Sequence, residues 1–380
     1  MSEQQISEEL KAQITKLKAP NIAVIGGTGV GKSSLINAVF GRNLAKIGAG
    51  LPVTQEFCRY PADEESRDVP VVIYDSAGYE AAKETQFVDG VIDFLTQKTK
   101  EGLEKQIHLV WYIINASSGR VQKFEETIIE NLNRQGISAI IILSQCDRAK
   151  DTEIEGIKAA LTTFNLGNIH DVLEVSASPL EFQGKPICEP FGLSELVDKT
   201  IEVVPDIYTD AVIAAQVVKL QDKRQLVWKY ISVAATTCFA SQAMPSPLGS
   251  PTLIAVQAGL CISIGSVYGY REFADFITRI GTFAAFNTFL TSVFGDLLGI
   301  FFPPAGLLTA AGVASYIVVF GLTCNAVFEK MVHDNLQGKT RAEIKQYLEE
   351  SFRQEFEKYS LYNIPNPETL DIVKKNFLNS

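Results

Sequence analysis

The run Gly26-Gly27-Thr28-Gly29-Val30-Gly31-Lys32-Ser33 sets four glycines around a threonine and a valine and closes on a lysine and a serine. Glycines at these positions let successive backbone N–H groups turn inward without a Cβ clash. The result is a cradle of donors for the oxygens of a di- or triphosphate. Lys32 would neutralise β- and γ-phosphate oxygens, and Ser33 would offer its hydroxyl to Mg2+. Ser34 opens the helix-like stretch Ser34–Phe40, whose dipole adds positive character at the same point. The apolar run Asn21–Ile25 stands before the loop as a strand. Strand, loop and helix in that order give the loop the context it needs, so Gly26–Ser34 is expected to hold the phosphates of a nucleotide.

Three further segments follow strand-like runs. Val71–Tyr74 leads into Asp75-Ser76-Ala77-Gly78, which resembles the D-x-x-G pattern of GTPases. That resemblance implies that Asp75 holds Mg2+ through water and that the Gly78 amide senses the γ-phosphate. Between it and the phosphate loop, the polar segment Arg42–Phe57 carries one threonine, Thr54. Thr54 is expected to complete the Mg2+ shell beside Ser33 and Asp75 in the triphosphate state; a turn threonine after Pro52 is the other reading. Lys32, Thr54 and Gly78 are thus the residues expected to act on the γ-phosphate. Further on, the β-branched run Ile137–Leu143 leads into Ser144-Gln145-Cys146-Asp147, which resembles the N/T-K-x-D motif. Asp147 can accept hydrogen bonds from the guanine N1–H and exocyclic amine, which adenine does not offer. Ser144 and Gln145 depart from that motif, and Gln145 stands where a lysine stem covers the base. Val175-Ser176-Ala177-Ser178 resembles the S-A-K loop, which implies that Ser176 and Ala177 back the guanine.

In this order the motifs resemble the Era-like and septin-like branch of translation-factor-class GTPases, over Asn21–Val204. The resemblance implies GTP and GDP as ligands with Mg2+ as cofactor, and a bacterial, membrane-associated member of the class. In Ras-like proteins a glutamine after D-x-x-G orients the attacking water. Tyr79 stands there in this chain, which implies slow intrinsic hydrolysis, or help from a backbone group, another residue or a homodimer partner.

Those motifs need strands to end at them and helices to return the chain. Ile107–Asn115 reads as another strand, with Val121–Gln135 and Leu193–Val203 as flanking helices. Alternating strand and helix implies an α/β fold with a mostly parallel sheet covered on both faces, and a ligand at the carboxyl ends of the strands. A net charge of −10 argues against nucleic acid as the main partner. Six cysteines show no C-x-x-C pair and no metal spacing with His108, His170 or His333, as expected of reduced thiols in the cytoplasm. Residues 1–19 place Ile6, Leu10, Ile14 and Leu17 at helical spacing, the pattern of an amphipathic N-terminal helix.

The nucleotide domain is expected over residues 20–205 and an all-α, strongly apolar domain over residues 206–380. Asp206–Lys229 is patterned as a charged helix. Tyr230–Tyr270, Gly281–Gly295 and Leu297–Phe328 then contain no Asp, Glu, Lys or Arg. Ala305–Phe328 is long enough to cross a bilayer, with Gly281–Phe302 as a weaker partner across Pro303-Pro304. Two readings stay open: a membrane-inserting hairpin, or the buried core of a soluble helical bundle. Ala240–Tyr270 also resembles the YcjF-type domain of unknown function, which implies that the GTPase domain is fused to such a domain. Function follows the same fork. One reading is a GTP-hydrolysing conformational switch engaging a membrane or membrane protein; the other is a nucleotide-gated soluble interaction module with little turnover.

Overall fold

The structure, a computed structural model, describes residues 17–41, 44, 51–52, 57–61, 70–78, 84–164, 167–182, 185–240, 251–268, 310–334, 341–360 and 367–379. Thr54, Tyr79, residues 1–16 of the N-terminal helix expected over residues 1–19, and the Gly281–Phe302 half of the hairpin with Pro303-Pro304 lie outside the described residues. The chain divides into one compact unit of Leu17–Lys219 and another that takes in Leu220–Ser380.

The first unit is built on seven strands: β1 (Asn21–Gly26), β2 (Leu51–Pro52), β3 (Phe57–Tyr60), β4 (Val72–Ser76), β5 (Leu109–Asn115), β6 (Ala139–Ser144) and β7 (Ile169–Val175). They lie in the order β2-β3-β4-β1-β5-β6-β7, parallel from β4 through β7. The mostly parallel sheet is therefore as expected. Its antiparallel edge is not: β3 pairs with β4 and β2 with β3. The central strands β1, β5 and β6 read as nearly unbroken apolar runs because both faces are covered. Alternate residues serve separate cores. Ala23, Tyr112 and Ile141 pack under α2 (Glu84–Thr99), α3 (Lys123–Gln135) and α4 (Asp151–Leu161). Ile22, Trp111 and Ile140 pack under α1 (Lys32–Phe40), α5 (Leu193–Val203) and α6 (Asp206–Ala215).

Helix α6 corrects the expected boundary. Tyr208, Val212 and Ala215 are buried in the sheet's own core, so the unit runs on to Lys219, and the single helix expected over Asp206–Lys229 is two. At the amino ends of β1 and β5, away from the motifs, the buried His108 accepts the Asn21 N–H at Nδ1 (2.8 Å), with Nε2 2.9 Å from the Leu103 carbonyl oxygen. Burial holds its pKa below the ordinary value, so the imidazole stays neutral there. Beyond β7, β8 (Leu180–Phe182) and β9 (Lys185–Cys188) form a separate antiparallel pair.

Glu125 is the buried charge to test. Its Oε2 accepts the Gln122 N–H at 2.8 Å and starts α3, a position whose geometry the helix needs. Burial raises its pKa from 4.5 to about 7, with the bond from Gln122 pulling it back. A raised carboxyl pKa means that the folded protein binds this proton more tightly than the unfolded chain. The associated stability is complete below pH 4.5 and is lost as pH rises to about 7. Glu125→Gln keeps an acceptor oxygen and removes the charge. It should stabilise the unit by on the order of 1–3 kcal/mol at pH 8 and by nothing at pH 4. Melting curves at the two pH values check this, and equal gains at both would refute the buried-charge account.

The second unit consists, among the described residues, of α7 (Leu220–Ala240), α8 (Pro251–Val267), α9 (Ala310–Asp334), α10 (Arg341–Ser360) and α11 (Pro367–Asn379). Gly321 of α9 lets the helices close up, because a Cβ there would lie 2.5 Å from Ile231 Cγ1 of α7. Phe356 of α10 meets Tyr316 of α9, ring centroids 6.1 Å apart. At the start of α7, Arg224 Nε and Nη2 donate to Glu329 Oε1 (2.7 Å) and Oε2 (3.0 Å) on α9. Gly312–Val332 is long and apolar enough to cross a membrane, yet most of it is buried inside the unit. Ile317 is 0% exposed and Val318 4% exposed, so both face protein in this unit, where the hairpin reading set them against lipid.

Candidate nucleotide site

The carboxyl ends of the parallel strands bring the motifs together. β1 ends at Gly26, β4 at Ser76, β6 at Ser144 and β7 at Val175, and the strand order reverses beside β1, where open parallel sheets bind ligands. Gly26 passes directly over β5: a Cβ there would lie 2.6 Å from the Ile113 carbonyl oxygen. Gly29 (φ 76°) and Gly31 (φ 94°) take the left-handed conformation, which turns the loop back so that α1 starts at Lys32.

Lys32 is buried, and its Nζ donates to the carbonyl oxygens of Gly26 (2.9 Å) and Gly27 (3.0 Å). Burial lowers its pKa, and the Asp75 carboxylate opposes that shift. Asp75, at the end of β4, shows the converse. Desolvation raises its pKa to about 6, against the pull of Lys32 and a hydrogen bond from Ser33. Its Oδ1 is buried without a hydrogen-bond partner. An orphaned carboxylate oxygen beside a serine hydroxyl is an all-oxygen donor set and fits Mg2+, as the sequence led us to expect for Ser33 and Asp75. Gly78 sits against the phosphate loop, since a Cβ there would lie 2.8 Å from Thr28 Cα. The motif of β4 and the loop of β1 therefore touch through backbone that any larger residue would force apart.

The segments expected to meet the base are held by three residues. Gln145 is the one non-glycine residue with positive φ (56°) among the described residues, and this turn aims its Nε2 at the Gly29 carbonyl oxygen, 2.8 Å away. Gln145, expected to lie with the base, is thereby bonded to the phosphate loop. Ser144 is buried, its hydroxyl 3.3 Å from the Ile114 carbonyl oxygen. Ser176 exchanges backbone hydrogen bonds with Phe191 (3.0 and 3.1 Å), and its hydroxyl donates to the Ser178 carbonyl (3.1 Å), which fixes the loop carrying Ala177. The Asp147 side chain is 4% exposed, with Arg148 Nε 3.5 Å from Oδ2. The Arg148 contact was not anticipated, although a cation directly after Asp147 was the available sign. Val30 is buried, whereas Thr28, Ser33 and Ser34 are exposed along the loop and the first turn of α1.

A mostly parallel sheet with this loop at its centre, and a helical region after it, is the fold of a P-loop GTPase domain. Residues 21–145 match the family described as 50S ribosome-binding GTPase. Among curated proteins, the probable GTP-binding protein EngB of Mycoplasma genitalium is 29% identical over 157 residues, 41% of this chain and 73% of that protein. The EngB of Rhodopseudomonas palustris is 33% identical over 146 residues, 37% of this chain and 63% of that protein. The uncharacterized protein YkfA of Escherichia coli K12 is 24% identical over 221 residues, covering 56% of this chain and 72% of that protein. A crystal structure of Aquifex aeolicus Era bound to GDP and AlF4− is 15% identical, covers 58% of this chain and 68% of its own, and superposes with a TM-score of 0.33.

Proposed function

We propose that this protein hydrolyses GTP to GDP as a conformational switch and acts at a membrane, or on a membrane protein, through its helical unit. One observation carries the nucleotide half: Lys32 and Asp75 are both desolvated under the phosphate loop, and an Asp75 oxygen lacks a partner. In this reading Gly26–Ser34 binds the phosphates, Ser144, Gln145, Asp147, Ser176 and Ala177 take the guanine, and Ser33, Thr54 and Asp75 hold the metal. Bound Mg2+ would neutralise oxygens of the β- and γ-phosphates. Lys32 and the Gly78 amide would meet the γ-phosphate, with Thr54 closing over it. Tyr79 supports a slow intrinsic rate, because no glutamine follows Gly78 to orient water.

The membrane half is supported by the charge-free stretches Tyr230–Tyr270 and Gly281–Gly295 and by the resemblance of Ala240–Tyr270 to the YcjF-type domain. A net charge of −10 argues against RNA as the main target. A second reading, a soluble nucleotide-gated module, is favoured by the burial of α9. Flotation with liposomes, together with GTP turnover with and without them, separates the two. A chain that stays monodisperse without detergent and never floats with either nucleotide removes the membrane from the proposal. Ile317→Arg is expected to lower the melting temperature of the helical unit by several degrees even without lipid, because the side chain is fully buried. An unchanged melting temperature accompanied by loss of flotation would place Ile317 against lipid after all.

A further inference from the structure

Phe191 leaves 38% of its surface exposed, directly beside the segment expected to back the base. A single exposed phenylalanine carries no message by itself. Its setting does. The Ser176 N–H donates to the Phe191 carbonyl at 3.0 Å, and the Phe191 N–H donates to the Ser176 carbonyl at 3.1 Å, an antiparallel bridge outside the named strands. A pair that exchanges both bonds brings its Cα atoms to about 5.5 Å and sends both side chains off the same side of the ladder. The buried Ser176 turns its hydroxyl from that side onto the Ser178 carbonyl, so the Phe191 ring and the turn carrying Ala177 share it.

The position is fixed from both flanks. Pro190 locks its own φ just before Phe191. Gly192, just after it, takes the left-handed conformation (φ 75°), and a Cβ there would collide with the Glu174 carbonyl oxygen, so the chain is pressed against β7 before α5 begins at Leu193. On the other side of β7, the Cys146 N–H reaches the Val175 carbonyl at 3.4 Å. Asp147, Ser176 and Phe191 therefore stand on adjoining turns joined backbone to backbone.

A purine needs more than partners for its edge, because pockets for flat ligands are lined mainly by apolar and aromatic side chains. The two base segments, Ser144–Asp147 and Ser176–Ser178, contain no aromatic residue. Gln145 is engaged with the Gly29 carbonyl, and Ser178, where the S-A-K pattern has a lysine, is too short to lie across a ring. We propose that Phe191 covers one face of the bound guanine, an aromatic contact supplied from outside the four motifs. This rests on the reading of the site as a GTP site. Every base has a π-face, so stacking on Phe191 adds affinity without choosing between bases, and the choice stays with Asp147 at the edge.

Calorimetry of the full chain with GDP and with a non-hydrolysable GTP analogue tests it. Phe191→Ala should weaken both about tenfold or more and by the same factor, since the base is common to the two. The bonds to Ser176 come from the backbone and survive the substitution, and a melting curve checks that the variant folds. Phe191→Trp should bind both nucleotides within about threefold of wild type, because an indole offers the same kind of face. Its added emission should fall when GDP is bound, as guanine stacked on indole quenches it; the chain's own Trp111 and Trp228 are buried, and the wild type supplies their signal for subtraction. If Phe191→Ala fails to fold, the tryptophan variant decides alone. Unchanged affinity in a folded Phe191→Ala, a loss confined to the triphosphate, or an added emission that ignores GDP overturns the proposal. A wild type that binds neither nucleotide overturns the GTP reading itself, and the cover with it.

Discussion

Lys32→Ala is expected to weaken GTP and GDP binding by two orders of magnitude or more in calorimetry. The ammonium is the one side-chain cation bonded into the loop among the described residues, held by the Gly26 and Gly27 carbonyls at 2.9 and 3.0 Å. A hydrogen bond to a charged group contributes roughly 1.5–3 kcal/mol, and about 1.4 kcal/mol is a factor of ten, so losing contacts to two phosphates accounts for a hundredfold. Asp75 adds to the effect, because its buried carboxylate loses the nearby positive charge that holds it ionised. Unchanged affinity in the alanine variant would mean that Gly26–Ser33 is only a glycine-rich turn.

The second large effect concerns base choice. Asp147→Asn should turn the preference from GTP towards XTP, with a swing in relative affinity on the order of a thousandfold. The nearly buried carboxylate can only accept hydrogen bonds, whereas asparagine presents an amide donor to the C2 substituent, where xanthine carries an oxygen and guanine an amine. Sites built on such pairs reject a mismatched base by leaving a buried polar group unpaired. Competition binding with the two nucleotides reads the swing directly. A wild type that binds ATP as well as GTP would show that Asp147 does not select the base. Arg148→Ala, which removes the neighbouring cation at 3.5 Å, serves as the control and should leave the preference where it was.

The motifs were legible because each needs a particular residue type at a strand end, and the strands β1, β5 and β6 are apolar enough to announce themselves. What the chain hid was of another kind. β2 and β3 are short and lie beside polar sequence, and their pairing depends on β4 being there to receive them. Gln145 reads as a substitution in a base motif, and only its left-handed turn shows that it faces the phosphate loop. Gln216 carries no motif at all, and its four hydrogen bonds, to Ile213, Val218 and Lys219, form only where the chain turns at the end of α6. The apolar run in α9 was visible but ambiguous: lipid and the interior of a helical bundle select the same side chains, so hydropathy alone leaves burial undecided.

The parity of the central strands constrains how this protein could change over evolutionary time. Trp111 and Tyr112 are neighbours in sequence but belong to opposite cores, as do Ile140 and Ile141. A one-residue insertion or deletion inside β5 or β6 would therefore exchange the contents of the two cores at once, with a tryptophan-sized side chain forced into the place of its neighbour. Length variation among descendants of this chain should accumulate in segments such as the one around β8 and β9, which stands outside the main sheet. The central strands should keep their length even where individual residues drift.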